Sequence, residues 1–163
     1  MHISIELIIS LTAFLIALFL LIFAVDWRYF RDWVVVFLYK SILNTLMSTM
    51  IINTGRIEYV YRQLPQYFRM SLLYELWVFP ILCVLYNQIT RERGLWPVLY
   101  YAVLFSAGIT ATEYPLELYT DLIQYHKWSW FTTLYTTTLT LLSSRAFIAF
   151  FRWGCVYFER TKL

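Results

Sequence analysis

The sequence predicts an all-α integral membrane protein, a bundle of about five transmembrane helices with a short amphipathic interfacial segment before the last one. Of the 163 residues, 61% are hydrophobic and only 14% are charged, whereas soluble domains are about 45–50% apolar and about 25% charged. Five segments reach or approach the length of about 20 mostly apolar residues that a spanning helix needs. Only four glycines and four prolines are present, which leaves little material for long loops.

A single helical membrane domain is expected over residues 1–163, because no linker, repeat or low-complexity tract divides the chain. The predicted spans are 3–25, 33–52, 70–89, 95–112 and 129–151. The first is interpreted as a retained helix, since no Lys or Arg precedes its apolar run and a signal peptide has a positive start and a shorter apolar core. Pro97 falls in the first turn of the fourth helix, where it is tolerated, and Pro80 is expected to kink the third.

The distribution of basic residues favours an outside N-terminus and a cytoplasmic C-terminus. With five spans, four Lys or Arg residues fall in loops on the N-terminal side: Arg56, Arg62, Arg69 and Lys127. Seven fall on the opposite side: Arg28, Arg31, Arg91, Arg93, Arg152, Arg160 and Lys162. The C-terminal tail is therefore expected on the cytoplasmic side of the membrane.

The segment 113–128 admits two interpretations. After Pro115, apolar residues at helical spacing face one side and Glu117, Asp121 and Gln124 face the other, which is typical of a short interfacial helix. Alternatively, the fourth helix runs on with a kink to about Ile123, which would bury Glu113 more deeply. The sequence leaves both open.

Four ionisable side chains, Lys40, Glu75, Glu113 and Arg145, lie within or at the ends of the apolar segments. A charge at the centre of a spanning helix costs about 2.5–3.5 kcal/mol on the insertion scale, so such residues mark an interior, a cavity or a partner. Lys40 and Arg145 each belong to a polar helical stripe, about 10 Å from the inner surface at 1.5 Å per residue. If the stripes face each other, an anion between the two cations would relieve their repulsion.

Lys40, Glu75 and Arg145 therefore form a hypothetical ligand or ion pathway. The alternatives for the cations are snorkelling to the inner headgroups and a structural pair within the bundle. For Glu75 the alternative is a hydrogen-bonded carboxylate between helices.

A second hypothetical site is an outer-interface polar cluster of Glu113, Glu117, Asp121 and His126, which could in principle hold a metal or move a proton, or could simply be solvated. No metal site and no cofactor is predicted, because no His or Cys pair has ligand spacing. No HExxH, GxSxG, P-loop or CxxC motif is present, so catalysis has no support from motifs. The net charge of +3 is small and scattered, which does not favour nucleic-acid binding.

Several short aromatic motifs resemble those of a known family. They are Asp26-Trp27-Arg28, Leu64-Pro65, Trp77-Val78-Phe79-Pro80, Glu113, and the stretch from Leu122 to Trp128. Together they resemble an uncharacterised family of small multi-pass membrane proteins from spore-forming, low-GC Gram-positive bacteria. The resemblance implies a helical bundle in the bacterial cytoplasmic membrane and no established activity. Where such relatives carry Asn-Gly, this chain has His126-Lys127.

Three functions are compatible with these observations. The first is a non-enzymatic accessory or interaction component of a membrane assembly, favoured by the short loops and by a face of small residues over 106–112. The second is a small oligomeric transporter or channel with an anion site at Lys40 and Arg145. The third is a lipid-headgroup enzyme at the outer interface. The expected partners are membrane lipids, with another membrane protein or a second copy of the chain as further candidates.

Overall fold

The computed structural model describes residues 5–60, 66–67, 69–120 and 122–160, and it confirms the predicted all-α bundle. The helices follow the predicted order: α1 (Ile5–Phe23), α2 (Phe30–Asn53), α3 (Phe79–Ile89), α4 (Leu95–Tyr119) and α5 (Trp130–Arg160). A 3-10 turn (Trp27–Tyr29) leads into α2, and a π-helical turn (Tyr74–Val78) leads into α3. Two short strands, β1 (Ile57–Glu58) and β2 (Gln124–Tyr125), complete the described elements.

Four of these helices, α1, α2, α4 and α5, are long and apolar enough to cross a membrane. The predicted third span, 70–89, differs from the others. Its helix is continuous over 72–89 but contains the π-helical turn near its start, and its length is at the lower limit of what a spanning helix needs. Most of α3 is buried, including Ile81, Val84 and Tyr86. It is therefore the central helix of the bundle, enclosed by the longer ones.

The fourth helix extends past the predicted boundary of residue 112. It continues without interruption through Pro115 to Tyr119, so the separate amphipathic helix considered for 113–128 does not form. The alternative, a longer fourth helix, is correct, although it ends before Ile123. The fifth helix likewise continues beyond 151 to Arg160.

One end of the bundle, called the upper end here, contains the start of α1 and the ends of α2 and α4. There the strands pair antiparallel, with Ile57 opposite Tyr125 and Glu58 opposite Gln124. The His126 N–H donates to the Arg56 carbonyl at 3.0 Å and extends this pairing. The connection after α2 is thereby fixed against the connection before α5. A small apolar cluster that includes Met70 and Ile123 packs beneath the strands.

The opposite, lower end is held by charged and polar side chains. The Asp32 carboxylate at the start of α2 accepts a hydrogen bond from Arg152 Nε of α5 at 2.8 Å and lies 3.8 Å from Arg91. The Arg91 guanidinium lies over the Tyr29 ring, 3.1 Å from its centroid. The Gln88 side chain bonds the α1 terminus twice, accepting from the Asp26 N–H at 2.8 Å and donating to the Ala24 carbonyl at 2.9 Å.

Replacement of Asp32 by Asn should destabilise the fold by about 1.5–3 kcal/mol, the range for hydrogen bonds to charged groups. The change removes the carboxylate that Arg91 and Arg152 share, and Arg145 lies close enough to both to be repelled. Denaturant unfolding of the detergent-solubilised protein would measure the loss. Asp26→Asn is the matched control, because its partner Arg28 is 82% exposed and surface pairs contribute little. Equal losses in both variants would contradict this role for Asp32.

A polar cavity between the helices

A cavity of about 100 Å³ lies between α2, α4 and α5 beneath the upper end, bordered by the π-helical turn. We call it the polar cavity. It has room for several water molecules, each of which needs at least about 10–15 Å³. Its polar lining consists of Lys40, Asn44, Ser48, Tyr59, Glu75, Glu113, Trp128, Thr133, Thr136, Thr137 and Thr140. Two of the three residues of the predicted pathway are therefore in it.

Lys40 is directed into the bundle and is only 4% exposed. Its Nζ donates a hydrogen bond to the Thr140 hydroxyl of α5 at 2.6 Å. The predicted facing of the α2 and α5 polar stripes is thus confirmed at this contact. The Tyr39 hydroxyl and the Ser143 hydroxyl form a second hydrogen bond between the same helices. Snorkelling is therefore not the arrangement found for Lys40.

The π-helical turn explains how the Glu75 backbone is positioned. The Phe79 N–H donates to the Tyr74 carbonyl, five residues back, whereas a regular helix would direct it to Glu75. Pro80 has no N–H to offer the Glu75 carbonyl instead. That carbonyl accepts from the Asn44 side-chain amide of α2 at 3.4 Å. The expected effect of Pro80 on the third helix therefore takes the form of a π-helical turn, a feature frequent at functional sites.

The Glu75 carboxylate is 4% exposed and accepts two hydrogen bonds. Both reach its Oε1 atom, from the Ser48 hydroxyl at 2.6 Å and from the Tyr59 hydroxyl at 3.0 Å. Lys40 is near enough to interact with it electrostatically. The interpretation of Glu75 as a hydrogen-bonded carboxylate between helices therefore matches its geometry, and the same group also faces the polar cavity.

Arg145 lies outside the polar cavity. Its Nη2 atom donates to the backbone carbonyls of Thr90 at 3.2 Å and Arg91 at 2.8 Å, just beyond the end of α3. A cation at this position binds backbone carbonyls just beyond the end of α3 and complements the negative end of the helix dipole. Lys40 and Arg145 thus have separate structural partners, and the expected anion site between them is not formed.

The outer-interface polar cluster is likewise divided. Glu113 is half-buried, lines the polar cavity and interacts with the Tyr125 hydroxyl. Glu117 is half-buried one turn further along α4, and Asp121 lies outside the described residues. The exposed His126 ring is directed elsewhere, 3.5 Å from the Glu58 carboxylate. In the described part of the chain, no group of three or more His, Cys, Asp or Glu residues could hold a metal ion.

Two tyrosines from the connections at the upper end complete the site. Burial raises the pKa of Tyr59 well above its ordinary value, with the carboxylates of Glu75 and Glu113 adding to the effect. Burial also raises the pKa of Tyr125, whose hydroxyl lies 3.0 Å from that of Thr133. Both phenols therefore remain neutral donors at ordinary pH. From the sequence, aromatic side chains in the connections between apolar segments are expected to anchor a protein at the membrane interface, and nothing in the spacing of Tyr59 and Tyr125 indicates contact with the acidic residues.

No protein-family model, curated protein or solved structure matches this chain. Its class therefore rests on the fold and the site. It is a helical bundle with four helices long and apolar enough to cross a membrane, and a cavity bearing an amine and two carboxyl groups lies between the helices.

The stability of the wild-type protein should fall as the pH rises above about 10, because tyrosines of the unfolded chain ionise there while Tyr59 in the folded chain stays protonated. The Tyr59 contribution is complete below that pH and is lost as the pH rises through the folded-state pKa. Tyr59→Phe should reduce the fall in unfolding free energy per pH unit above about pH 10, which we call the alkaline slope. Unfolding free energies measured between pH 9 and about 11 test it.

Ser48→Ala is the control for this measurement, since it also removes one donor to Glu75 Oε1 but keeps the phenol. Each variant should lose about 0.5–1.5 kcal/mol at neutral pH, the usual net contribution of a hydrogen bond. Only Tyr59→Phe should flatten the alkaline slope, and parallel slopes in the two variants would contradict the assignment.

Proposed function

We propose that this protein is a multi-pass protein of the bacterial cytoplasmic membrane that binds a small hydrogen-bonding ligand, or the polar head of a larger one, in the polar cavity. The supporting observation is that Lys40, Glu75 and Glu113 all line this one space between the helices. We also propose that the chain belongs to the family that its motifs resemble. We further propose that its N-terminus lies outside, which would put the cavity in the outer half of the membrane.

Ionisable groups are costly at membrane depth, so they are rare there unless they serve an ion or substrate pathway. An apolar interior would hold the bundle together as well or better, since buried ion pairs are weak stabilisers. Here Lys40 and Glu75 are both almost wholly buried. An ammonium has three donors, and Thr140 accepts one from Lys40. The described contacts therefore leave donors for a ligand.

Of the three functions considered from the sequence, the transporter is the most similar to this ligand-binding role. The difference is that Glu75 and Glu113, and not Arg145, lie in the same cavity as Lys40. The accessory role draws less support from the geometry, because Ser106 and Thr110 of the small-residue face are buried within the chain itself. The headgroup enzyme also draws less, because the His126 ring is directed toward Glu58 and is exposed.

Thiol labelling of cysteines placed along α5 tests whether solutes enter the polar cavity. Thr137 lines the cavity and Thr138 does not, so Thr137→Cys and Thr138→Cys form a matched pair. Both are made in a chain that also carries Cys83→Ser and Cys155→Ser, which removes the native thiols. The probes are methanethiosulfonates of similar size, one bearing an ammonium and one a sulfonate.

Thr137→Cys should react at least about tenfold faster than Thr138→Cys, a difference of about 1.4 kcal/mol in access. It should also prefer the cationic reagent, because two carboxyl groups and one ammonium line the cavity among the described residues. Adding Lys40→Met should strengthen that preference and Glu75→Gln should weaken it. Equal, slow reaction at both positions would overturn the proposal.

A further inference from the structure

A second, larger cavity adjoins the polar one. It has a volume of about 590 Å³ and lies between α1 and α4, over the π-helical turn and the start of α3. We call it the apolar groove. It lies within the range of about 300–1,000 Å³ that is usual for ligand pockets. Its walls include Thr12, Ala13 and Ala17 on α1, and Ala111, Thr112 and Pro115 on α4.

Small side chains and the helix arrangement together create this space. The α1 helix packs chiefly on the π-helical turn and α3, whereas α4 packs chiefly on α5. The two helices therefore stand apart, and the alanines and threonines that face the gap do not fill it. Of the exposed residues of the small-residue face, Ala111 and Thr112 line the groove.

The two cavities share part of their lining. Tyr59, Phe79, Ile109 and Glu113 border both of them. The Glu113 carboxyl group and the Tyr59 phenol lie at this junction, and Tyr125 interacts with the carboxyl group. An apolar space thus leads directly to a polar one, with a carboxyl group between them.

The dimensions of the groove suit a hydrocarbon chain. Along α1 its lining runs from Ile8 to Leu20, a rise of about 18 Å at 1.5 Å per residue. One leaflet contributes about half of a hydrocarbon core that is about 30 Å thick. A chain lying in the groove would therefore follow the depth of a single leaflet, with its polar end at the junction.

The charged groups at the junction favour one kind of polar head on the bound chain. Glu113 and Glu75 supply two carboxyl groups, and Lys40 supplies one ammonium. A phosphate or carboxylate head entering past Glu113 would meet a carboxyl group before it reached the buried amine. An ammonium head would instead form charge-assisted hydrogen bonds with carboxylate oxygens, which are about twice as strong as neutral ones.

We propose that the ligand is a membrane amphiphile with a small amine-bearing head, whose chain lies in the apolar groove and whose amine binds beside Glu113 at the mouth of the polar cavity. This rests on the proposed function, because it names the ligand class of the same site. The amphiphile enters sideways from the membrane between α1 and α4, where the groove is open.

Three photoreactive probes with one chain and different heads test this: hexadecylamine, hexadecanol and hexadecanoic acid, each with a diazirine near the chain end. The protein is reconstituted in nanodiscs of zwitterionic lipid, irradiated and mapped by peptide mass spectrometry. The expected labels are on α1 and α4 residues of the groove. The amine should label about tenfold more than the alcohol or the acid, the preference expected for one charge-assisted hydrogen bond.

Two matched pairs of variants locate the binding. Ala111→Trp fills the groove, whereas Ala107→Trp, one turn earlier on the exposed side of α4, does not line it. Glu113→Gln neutralises the junction, whereas Glu117 lines neither cavity and its Glu117→Gln variant is the control. Ala111→Trp should abolish labelling by all three probes. Glu113→Gln should remove the preference for the amine but keep labelling by the alcohol.

The failure of this inference is distinguishable from the failure of the proposed function. Equal labelling by the three heads, or labelling that Ala111→Trp leaves unchanged, would overturn the amphiphile while Thr137→Cys still reacted from the polar cavity. If Thr137→Cys reacted as slowly as Thr138→Cys with all other cavity residues unchanged, the binding function itself would be overturned, and the amphiphile with it.

Discussion

The arrangement of this protein depends on one constraint, which is that an ionisable side chain between apolar helices needs a polar partner on another helix. Lys40 of α2 meets Thr140 of α5, Glu75 of the π-helical turn meets Ser48 of α2, and Arg145 of α5 meets the carbonyls after α3. Each contact fixes the rotation of one helix relative to another. Because exchanging any of these faces would leave a charge in an apolar environment, the polar contacts specify a single arrangement that apolar packing alone would leave open.

The π-helical turn connects this constraint to the chemistry of the site. Pro80 has no backbone N–H to donate, and the preceding turn is π-helical. The Glu75 carbonyl therefore accepts its hydrogen bond from the Asn44 side chain of α2. The same turn brings the Glu75 carboxyl group to Ser48 and Tyr59. A local backbone irregularity that would be a defect in an isolated helix thus becomes the element that aligns α2, α3 and the upper connection around the polar cavity.

The two ends of the bundle differ in how they are held. At the lower end, Asp32, Arg91 and Arg152 cross-link three parts of the chain, and Gln88 binds the end of α1. At the upper end, the described contacts include the pairing of β1 with β2, a small apolar cluster and the hydrogen bonds of Tyr59 and Tyr125. The polar cavity lies beneath this end. The gap between α1 and α4 exists because α1 packs chiefly on the π-helical turn and α3, whereas α4 packs chiefly on α5, and the two helices pack little on each other.

Composition and helical spacing are properties of local sequence, and they are enough to predict the fold class, the helix order and the mutual facing of the α2 and α5 polar stripes. They also mark Lys40, Glu75 and Glu113 as unusual. The partners of these residues depend on how the helices pack. Lys40 and Thr140 are 100 residues apart, and helical periodicity specifies which face a residue occupies but not how far two helices shift along each other. For that reason the sequence predicts Arg145 opposite Lys40, whereas the packed helices give the two cations separate partners. The position of Glu113 at the junction of two cavities likewise follows from the packed helices alone.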